Sequence, residues 1–294
     1  MREVELLTVH RGPESSDSNQ TESQSRKSPV SRLSSAKKRL LFYGGLILGI
    51  AGLYAYQPQR YDFRPKPAPI PNPAIEPNPR VLFSSKARVL IVTAHPDDTE
   101  FFLGGILTKF RNANVAVDEL VCTDGDKSYY LIGNPQQLRR TRRQEQMNAA
   151  KASNVSRVRF LGYPDGRLFP NADVVENIRK EIEFWKPEYV IAFDGEYPPR
   201  QFHRDHLNSG IAAMEAIKGT RVTWAMLFAT HAANYSLDVT DEWDRQQELL
   251  AIHRSQFSGE HLKQVVNMVE SNAVTDGDRI GVTYAEGFRC VRLR

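Results

Sequence analysis

The chain has 294 residues, 40% hydrophobic and 25% charged, enough apolar surface for one folded domain of ordinary size with extensions. Its formal charge of +4 is local: residues 1–66 hold 11 Lys/Arg against 6 Asp/Glu, and the remainder holds 28 against 29. The folded portion is thus near neutral, which argues against a nucleic-acid partner. The two cysteines, Cys122 and Cys290, sit in apolar, strand-like runs and read as buried thiols rather than a disulfide framework; there is no CxxC and hence no zinc ribbon.

Residues 1–39 are polar, rich in Ser, Gln, Arg and Lys, and cannot bury enough surface to fold, so a disordered tail is expected. Residues 40–56 then run 17 positions without a charge, at the short end for a bilayer-spanning helix. Tyr43, Tyr54 and Tyr56 lie near its ends, where interfacial aromatics belong. A cleaved signal peptide does not carry a 39-residue polar lead. We therefore expect one transmembrane helix. Lys37, Lys38 and Arg39 abut its N-terminal side, against Arg60, Arg64 and Lys66 on the other. That bias predicts a cytosolic N-terminus and a domain across the membrane, in the endoplasmic reticulum or another endomembrane. Two glycosylation sequons, Asn154-Val155-Ser156 and Asn234-Tyr235-Ser236, permit that placement. Residues 57–80 hold eight prolines and read as a stiff spacer, leaving residues 81–294 for the folded domain.

From Lys86 onward strands alternate with helices. Strands are predicted at 88–93, 115–123, 157–161, 188–193 and 222–229, with a last one at 282–293. Helices are predicted at 100–111, 136–153, 172–185 and 205–218. Such alternation implies an α/β, Rossmann-like fold: a mostly parallel sheet with helices on both faces and ligands at the strand C-terminal ends. No GxGxxG follows the first strand, so a dinucleotide site is not expected. Gly104-Gly105 lies inside a helical stretch, where it allows close packing or a bend.

Two short runs at strand ends carry the chemistry. Ala94-His95-Pro96-Asp97-Asp98 follows the apolar Val89-Leu90-Ile91-Val92, and His203-Arg204-Asp205-His206 comes after Tyr189-Val190-Ile191-Ala192-Phe193. Alone, Asp97 or Asp98 would read as the cap of the helix that starts near Glu100. The second run changes that reading, because imidazole and carboxylate are usual zinc ligands and a catalytic zinc keeps one position open. His95 and Asp98, three apart across a strand-to-helix turn, can converge on one ion, with one histidine of the second run completing the set. An adjacent aspartate pair then divides the work: one ligates, and the other faces the water whose pKa the metal lowers towards about 7. A cationic imidazole opposite suits an oxyanion.

These runs resemble the PIG-L/LmbE-like family of zinc-dependent de-N-acetylases. Thr123-Asp124-Gly125-Asp126-Lys127, Arg142-Arg143-Gln144-Glu145, Leu161-Gly162-Tyr163-Pro164-Asp165-Gly166 and His253-Arg254-Ser255-Gln256 add to a likeness that spans residues 87–293. The resemblance implies hydrolysis of the acetamide of an N-acetylglucosaminyl conjugate, with Zn2+ held by His95, Asp98 and His206. It implies Asp97 as general base and His203 as the group that stabilises the oxyanion and protonates the leaving amine. It also implies that Asp205 orients His203 and that Arg142 contacts substrate. A bell-shaped pH profile follows, with Asp97 on the acidic limb and His203 on the basic one.

The membrane segment is similar to that of the GPI-pathway branch, which acts on N-acetylglucosaminyl-phosphatidylinositol, a glycolipid. Yet that branch tends to place Glu directly after the two aspartates, lacks the Gly-Gly pair and has a cytosolic catalytic face. Here Asp98-Thr99-Glu100-Phe101-Phe102-Leu103-Gly104-Gly105 resembles bacterial-type members that act on soluble N-acetylglucosaminyl compounds. The competing class is a non-catalytic, membrane-tethered glycan-binding module, against which the Asp97-Asp98 pair argues. Asp124 and Asp126 read as turn caps or electrostatic support, Asp165 as a turn residue, and His231 and His253 as packing or cavity-lining groups. Tyr129, Tyr130, Tyr197 and Pro198-Pro199-Arg200 lie in loops where they can stack on a sugar or simply pack. Nothing in the sequence fixes an oligomeric state.

Overall fold

The structure, a computed structural model, describes residues 77–127, 134–199 and 203–294. The expected tail, the transmembrane helix at 40–56 and most of the spacer lie outside the described residues, as do Tyr129, Tyr130 and Arg200. Among the described residues no helix is long and apolar enough to cross a membrane. The end of the spacer is folded: Pro79–Leu82 makes one helical turn, started by a proline and capped by the Asn78 side chain, which accepts from Arg80 N–H at 3.0 Å. Leu82 is fully buried in the core, so residues ahead of the expected boundary at 81 belong to the same turn.

The strands are β1 (Arg88–Thr93), β2 (Ala116–Thr123), β3 (Arg157–Tyr163), β4 (Tyr189–Phe193), β5 (Trp224–Phe228), β6 (Tyr235–Asp238) and β7 (Ala285–Arg292). The longer helices are α1 (Asp98–Asn112), α2 (Pro135–Ala152), α3 (Ala172–Trp185), α4 (Arg204–Ala216), α5 (Trp243–Leu250) and α6 (Gly259–Asp278). The sheet runs β3-β2-β1-β4-β5-β7-β6. The first five strands in that order are parallel, whereas β7 pairs antiparallel with both β5 and β6.

Strand β1 is buried at every position after Arg88, as a central parallel strand covered on both faces must be. Alternate residues divide between the faces. Val89 and Ile91 pack with Leu103, Ile106, Leu107 and Phe110 of α1. Leu90 and Val92 pack with Ile178, Ile182 and Trp185 of α3 and Ala212, Ala213 and Ala216 of α4. Each large apolar side chain so buried contributes about 1.5–3 kcal/mol. Both cysteines are buried free thiols.

From β1 the chain builds outward through β2 and β3, then returns to add β4 on the other side of β1. Where strand order reverses, the flanking loops diverge and leave a crevice at the carboxyl ends. The register Val89↔Tyr189 to Val92↔Ala192 sets the ends of β1 and β4 level. Both histidine runs leave the sheet there.

Strand β6 and helices α5 and α6 were not among the predicted elements. The four residues of β6 are half-buried or exposed and show no alternation, and α5 and α6 pack on a small separate core of Trp243, Leu250, Val265, Val269 and Ala273. The glycine pair in α1 serves both expected purposes. The helix bends at Leu103 (φ −134°, ψ 16°), and the N–H groups of Gly105 and Ile106 donate to the Glu286 carboxylate at 2.7 and 3.0 Å. A Cβ on Gly105 would lie 2.5 Å from Val239 Cγ1. Burial pushes the Glu286 carboxyl up to about 8.

Candidate active site

Asp98 builds the turn that leaves β1. Its Oδ2 accepts from the N–H groups of Ala94 at 3.0 Å and His95 at 2.7 Å, while Oδ1 lies 3.0 Å from His206 Nε2. His95 Nδ1 lies 3.1 Å from the same His206 nitrogen. His206 stands on the first turn of α4, its ring stacked on Phe193 with centroids 4.3 Å apart. That contact needs α4 to sit close to β4, and Gly210 permits it: a Cβ there would lie 2.2 Å from Phe193 O. The other nitrogen of His95, Nε2, faces Asp165 Oδ1 at 3.2 Å and Asp205 Oδ2 at 3.5 Å.

The donor set fits Zn2+. Two ring nitrogens and one carboxylate oxygen converge, and carboxylates back the far nitrogen of one histidine, as they do for metal-bound imidazole. Charge agrees. Burial alone would lower the His95 pKa, but Asp165, Asp205 and Asp98 outweigh it and hold the ring well above its ordinary value. Burial likewise opposes ionisation of Asp98, yet His206 and His95 hold its carboxyl well below the usual range. The surroundings of His95 and Asp98 thus favour positive charge between them. A His203 nitrogen also falls within 4.8 Å of those of His95 and His206.

Asp97 takes a different course from its neighbour. Its backbone has φ +108° and ψ −21°, a region costly for a residue with a Cβ, by about 1–3 kcal/mol. Its Oδ2 accepts from Arg142 Nη2 at 3.0 Å, and its N–H donates to Gln146 Oε1 at 2.8 Å. Burial raises its carboxyl to about 6, with Arg142 pulling it down and Asp98 pushing it up.

Three expectations need revision. Asp205 does not orient His203 through its carboxylate, which accepts from Gly166 N–H at 2.5 Å and Leu168 N–H at 3.2 Å and faces His95. The Asp205 backbone N–H reaches His203 instead, donating to Nδ1 at 3.2 Å, because His203 caps α4. With Nδ1 accepting, the neutral ring carries its hydrogen on Nε2. Second, His203 is not held as a cation: burial of its inner side, with His95 and His206 nearby, lowers it to about 4. The ring sits at the exposed rim of the site, so water tempers the size of this shift but not its direction. Third, Arg142 lines the cavity but is already engaged by groups of the protein itself. Its guanidinium is buried and donates to the carbonyls of Pro96 at 2.8 Å, Gly125 at 3.2 Å and Lys127 at 2.8 Å as well as to Asp97. Arg143 pairs with Asp124 and lies over the Phe160 ring.

Other participants escaped the sequence. Asp165 was read as a turn residue, yet it stands at the carboxyl end of β3, the sheet edge where ligands gather, and backs His95. Asp126 acts as a cap, accepting from Asp165 N–H at 3.0 Å. Glu100, Glu119, Gln146 and His253 form a fully buried polar group under Asp97. The signals were a charge inside the apolar run of β2 and a polar residue, Gln146, one helical turn beyond Arg142. Burial raises both Glu100 and Glu119 to about 8. Glu145 accepts from the Ser255 N–H and hydroxyl at 2.8 and 2.6 Å, which ties down the segment carrying His253. His231 lies aside, with Nδ1 3.2 Å from Pro198 O.

These groups open on a cavity of about 350 Å³ lined by His95, Asp97, Asp98, Arg142, Asp165, His203, His206 and Lys127, with Phe101, Phe102 and Phe257 as apolar walls. Residues 90–217 match the family model described as PIG-L, GlcNAc-PI de-N-acetylase. The likeness to a PIG-L domain thus rests on residues 90–217, which hold both histidine runs and all of α1 to α4. It is 25% identical over 229 residues to diacetylchitobiose deacetylase of Thermococcus kodakarensis, covering 71% of this chain and 85% of that protein. It is 26% identical over 204 residues to the probable N-acetyl-alpha-D-glucosaminyl L-malate deacetylase 2 of Bacillus subtilis, covering 64% and 90%. Among solved structures it superposes on the N,N'-diacetylchitobiose deacetylase of Pyrococcus horikoshii bound to its inhibitor MPG, with TM-score 0.68 and 26% identity over 73% of this chain and 86% of that one.

Proposed function

We propose that this PIG-L-like domain is a zinc-dependent de-N-acetylase that hydrolyses the acetamide of an N-acetylglucosaminyl conjugate. The observation that carries the proposal is the divided aspartate pair. Asp98 faces a histidine of the metal set, and Asp97 faces the same cavity with a carboxyl raised to about 6. His95, Asp98 and His206 would hold the metal, which would supply Lewis acidity towards an acyl oxygen and water. Asp97 is ionised at neutral pH yet basic enough to take a proton from water in the cavity. Arg142 keeps that carboxylate aimed. Neutral His203 donates from Nε2 to the oxyanion. The Asp97 carboxyl then returns its proton to the departing amine. Phe101, Phe102 and Phe257 offer apolar faces to a pyranose ring.

The run from Asp98 to Gly105 and the deacetylase relatives favour a soluble conjugate over a glycolipid. The test is acetate release by the zinc-loaded chain from N,N'-diacetylchitobiose, N-acetylglucosaminyl malate and N-acetylglucosaminyl-phosphatidylinositol. Release from none of them would end the proposal, and binding without turnover would favour the glycan-binding module.

For placement, the proposal keeps residues 40–56 as a single anchor with the domain on the lumenal side. Asn154 is exposed, whereas the Asn234 side chain accepts from Cys290 N–H at 2.7 Å and donates to its carbonyl at 3.1 Å. A glycosidase-sensitive mass shift lost in Asn154→Gln is expected. Removal of the domain by protease added outside sealed microsomes would contradict this placement.

A further inference from the structure

We propose that Gln146 is a positioning residue for Asp97, fixing through its side-chain amide the backbone of the general base and so the aim of its carboxylate. The inference rests on the role given to Asp97 above. Nothing in an aspartate's own preferences keeps it at φ +108°. Its buried N–H must find an acceptor in that conformation, and Gln146 Oε1 supplies one at 2.8 Å. Arg142 and Gln146 lie one helical turn apart on α2, so both side chains leave the same face. The first holds the carboxylate of Asp97 and the second its amide.

The orientation of the Gln146 side chain is itself determined. Its Nε2 lies 3.1 and 3.2 Å from the two oxygens of Glu100 and 3.1 Å from both oxygens of Glu119. A flipped amide would set its NH2 against the Asp97 N–H, donor against donor. Glu100 is braced by His253 Nε2 at 3.0 Å and Glu119 by the Thr99 hydroxyl. Groups from α1, β2, α2 and the segment after α5 thus meet on one amide. Gln146 is fully buried and does not line the cavity, so it acts through Asp97 and touches no substrate.

The test uses the zinc-loaded full-length chain. In Gln146→Met, which keeps the length without the polar atoms, kcat should fall about a hundredfold, the usual consequence of a reacting group misplaced by ~1 Å. KM and bound zinc should hold near wild-type values. In a crystal structure of that variant, φ of Asp97 should leave the positive region. Glu119→Gln combined with Gln146→Glu returns an acceptor to the Asp97 N–H and an amide beside it. This pair should turn over faster than Gln146→Glu alone. Unchanged kcat per bound zinc in Gln146→Met, or φ still near +108° there, overturns the inference. If Gln146→Met does not fold, the exchanged pair decides, and a pair no faster than Gln146→Glu alone overturns it as well. A wild-type chain that releases no acetate would instead remove the proposed function, while the backbone of residue 97 in the variant still tests the positioning.

Discussion

Asp97 and Asp98 are adjacent, yet their carboxylates meet different partners: Arg142 Nη2 lies 3.0 Å from Asp97 Oδ2, and His206 Nε2 lies 3.0 Å from Asp98 Oδ1. The positive φ at Asp97 turns the chain so that one side chain meets His206 and the other meets Arg142. The same division separates His203 from His206, since His203 uses Nδ1 to cap α4. His206→Ala should therefore lose most of its bound zinc, and His203→Ala should retain it. Equal occupancy in the two variants, measured by metal analysis, would reject the assignment.

The pH profile follows from the same pair. Asp97 must be ionised to accept a proton, and burial holds its carboxyl at about 6. Activity should be lost as pH falls through that value, rise through it and then level off. His203 has its proton affinity lowered, so it supplies no falling limb at neutral or alkaline pH. His203→Ala should still lower turnover about a hundredfold, by removing a donor to the oxyanion. A falling limb above neutrality in kcat/KM that disappears in His203→Ala would restore the imidazolium acid expected from sequence.

Arg142 tests position against substrate contact. In Arg142→Met the Asp97 carboxylate loses the group that lowers its pKa, so the acidic limb should move to higher pH. Loss of one partner from a buried ion pair should also destabilise the fold by about 3–5 kcal/mol. KM should change little. A large rise in KM with an unmoved limb would return Arg142 to the substrate.

The bend in α1 carries a stability prediction. Gly105→Ala would force a methyl into Val239, which is fully buried. The expected cost is about 1–3 kcal/mol, typical of overpacking, seen as a lower Tm. An unchanged Tm would mean that this contact is not tight.

The parallel core was legible because its strands are short apolar runs separated by amphipathic helices, and the convergence of His95, Asp98 and His206 was legible because both histidine runs follow central strands. Beyond that, pattern ran out. The β6 residues carry no alternating face, and α6 buries little beyond Val265, Val269, Ala273 and Gly277. Asp205 was paired with His203 through the resemblance, whereas its carboxylate turns towards Gly166 and His95. Arg142 was assigned to substrate by the resemblance alone, because a charged residue on a polar helix otherwise reads as solvent-facing. Only the fold shows the three loop carbonyls that occupy its guanidinium. Gln146 gave the weakest signal, since an amide's partners are set by tertiary contacts alone.

The most direct test of the account is acetate release from N,N'-diacetylchitobiose by wild type and Asp97→Asn, each brought to the same zinc content. Wild-type turnover should rise with bound zinc to one ion per chain. Zinc-loaded Asp97→Asn should keep its metal and lose about 10²–10⁴-fold in kcat, the range for a removed general base. Turnover that is independent of zinc, or that survives in Asp97→Asn, would contradict the account.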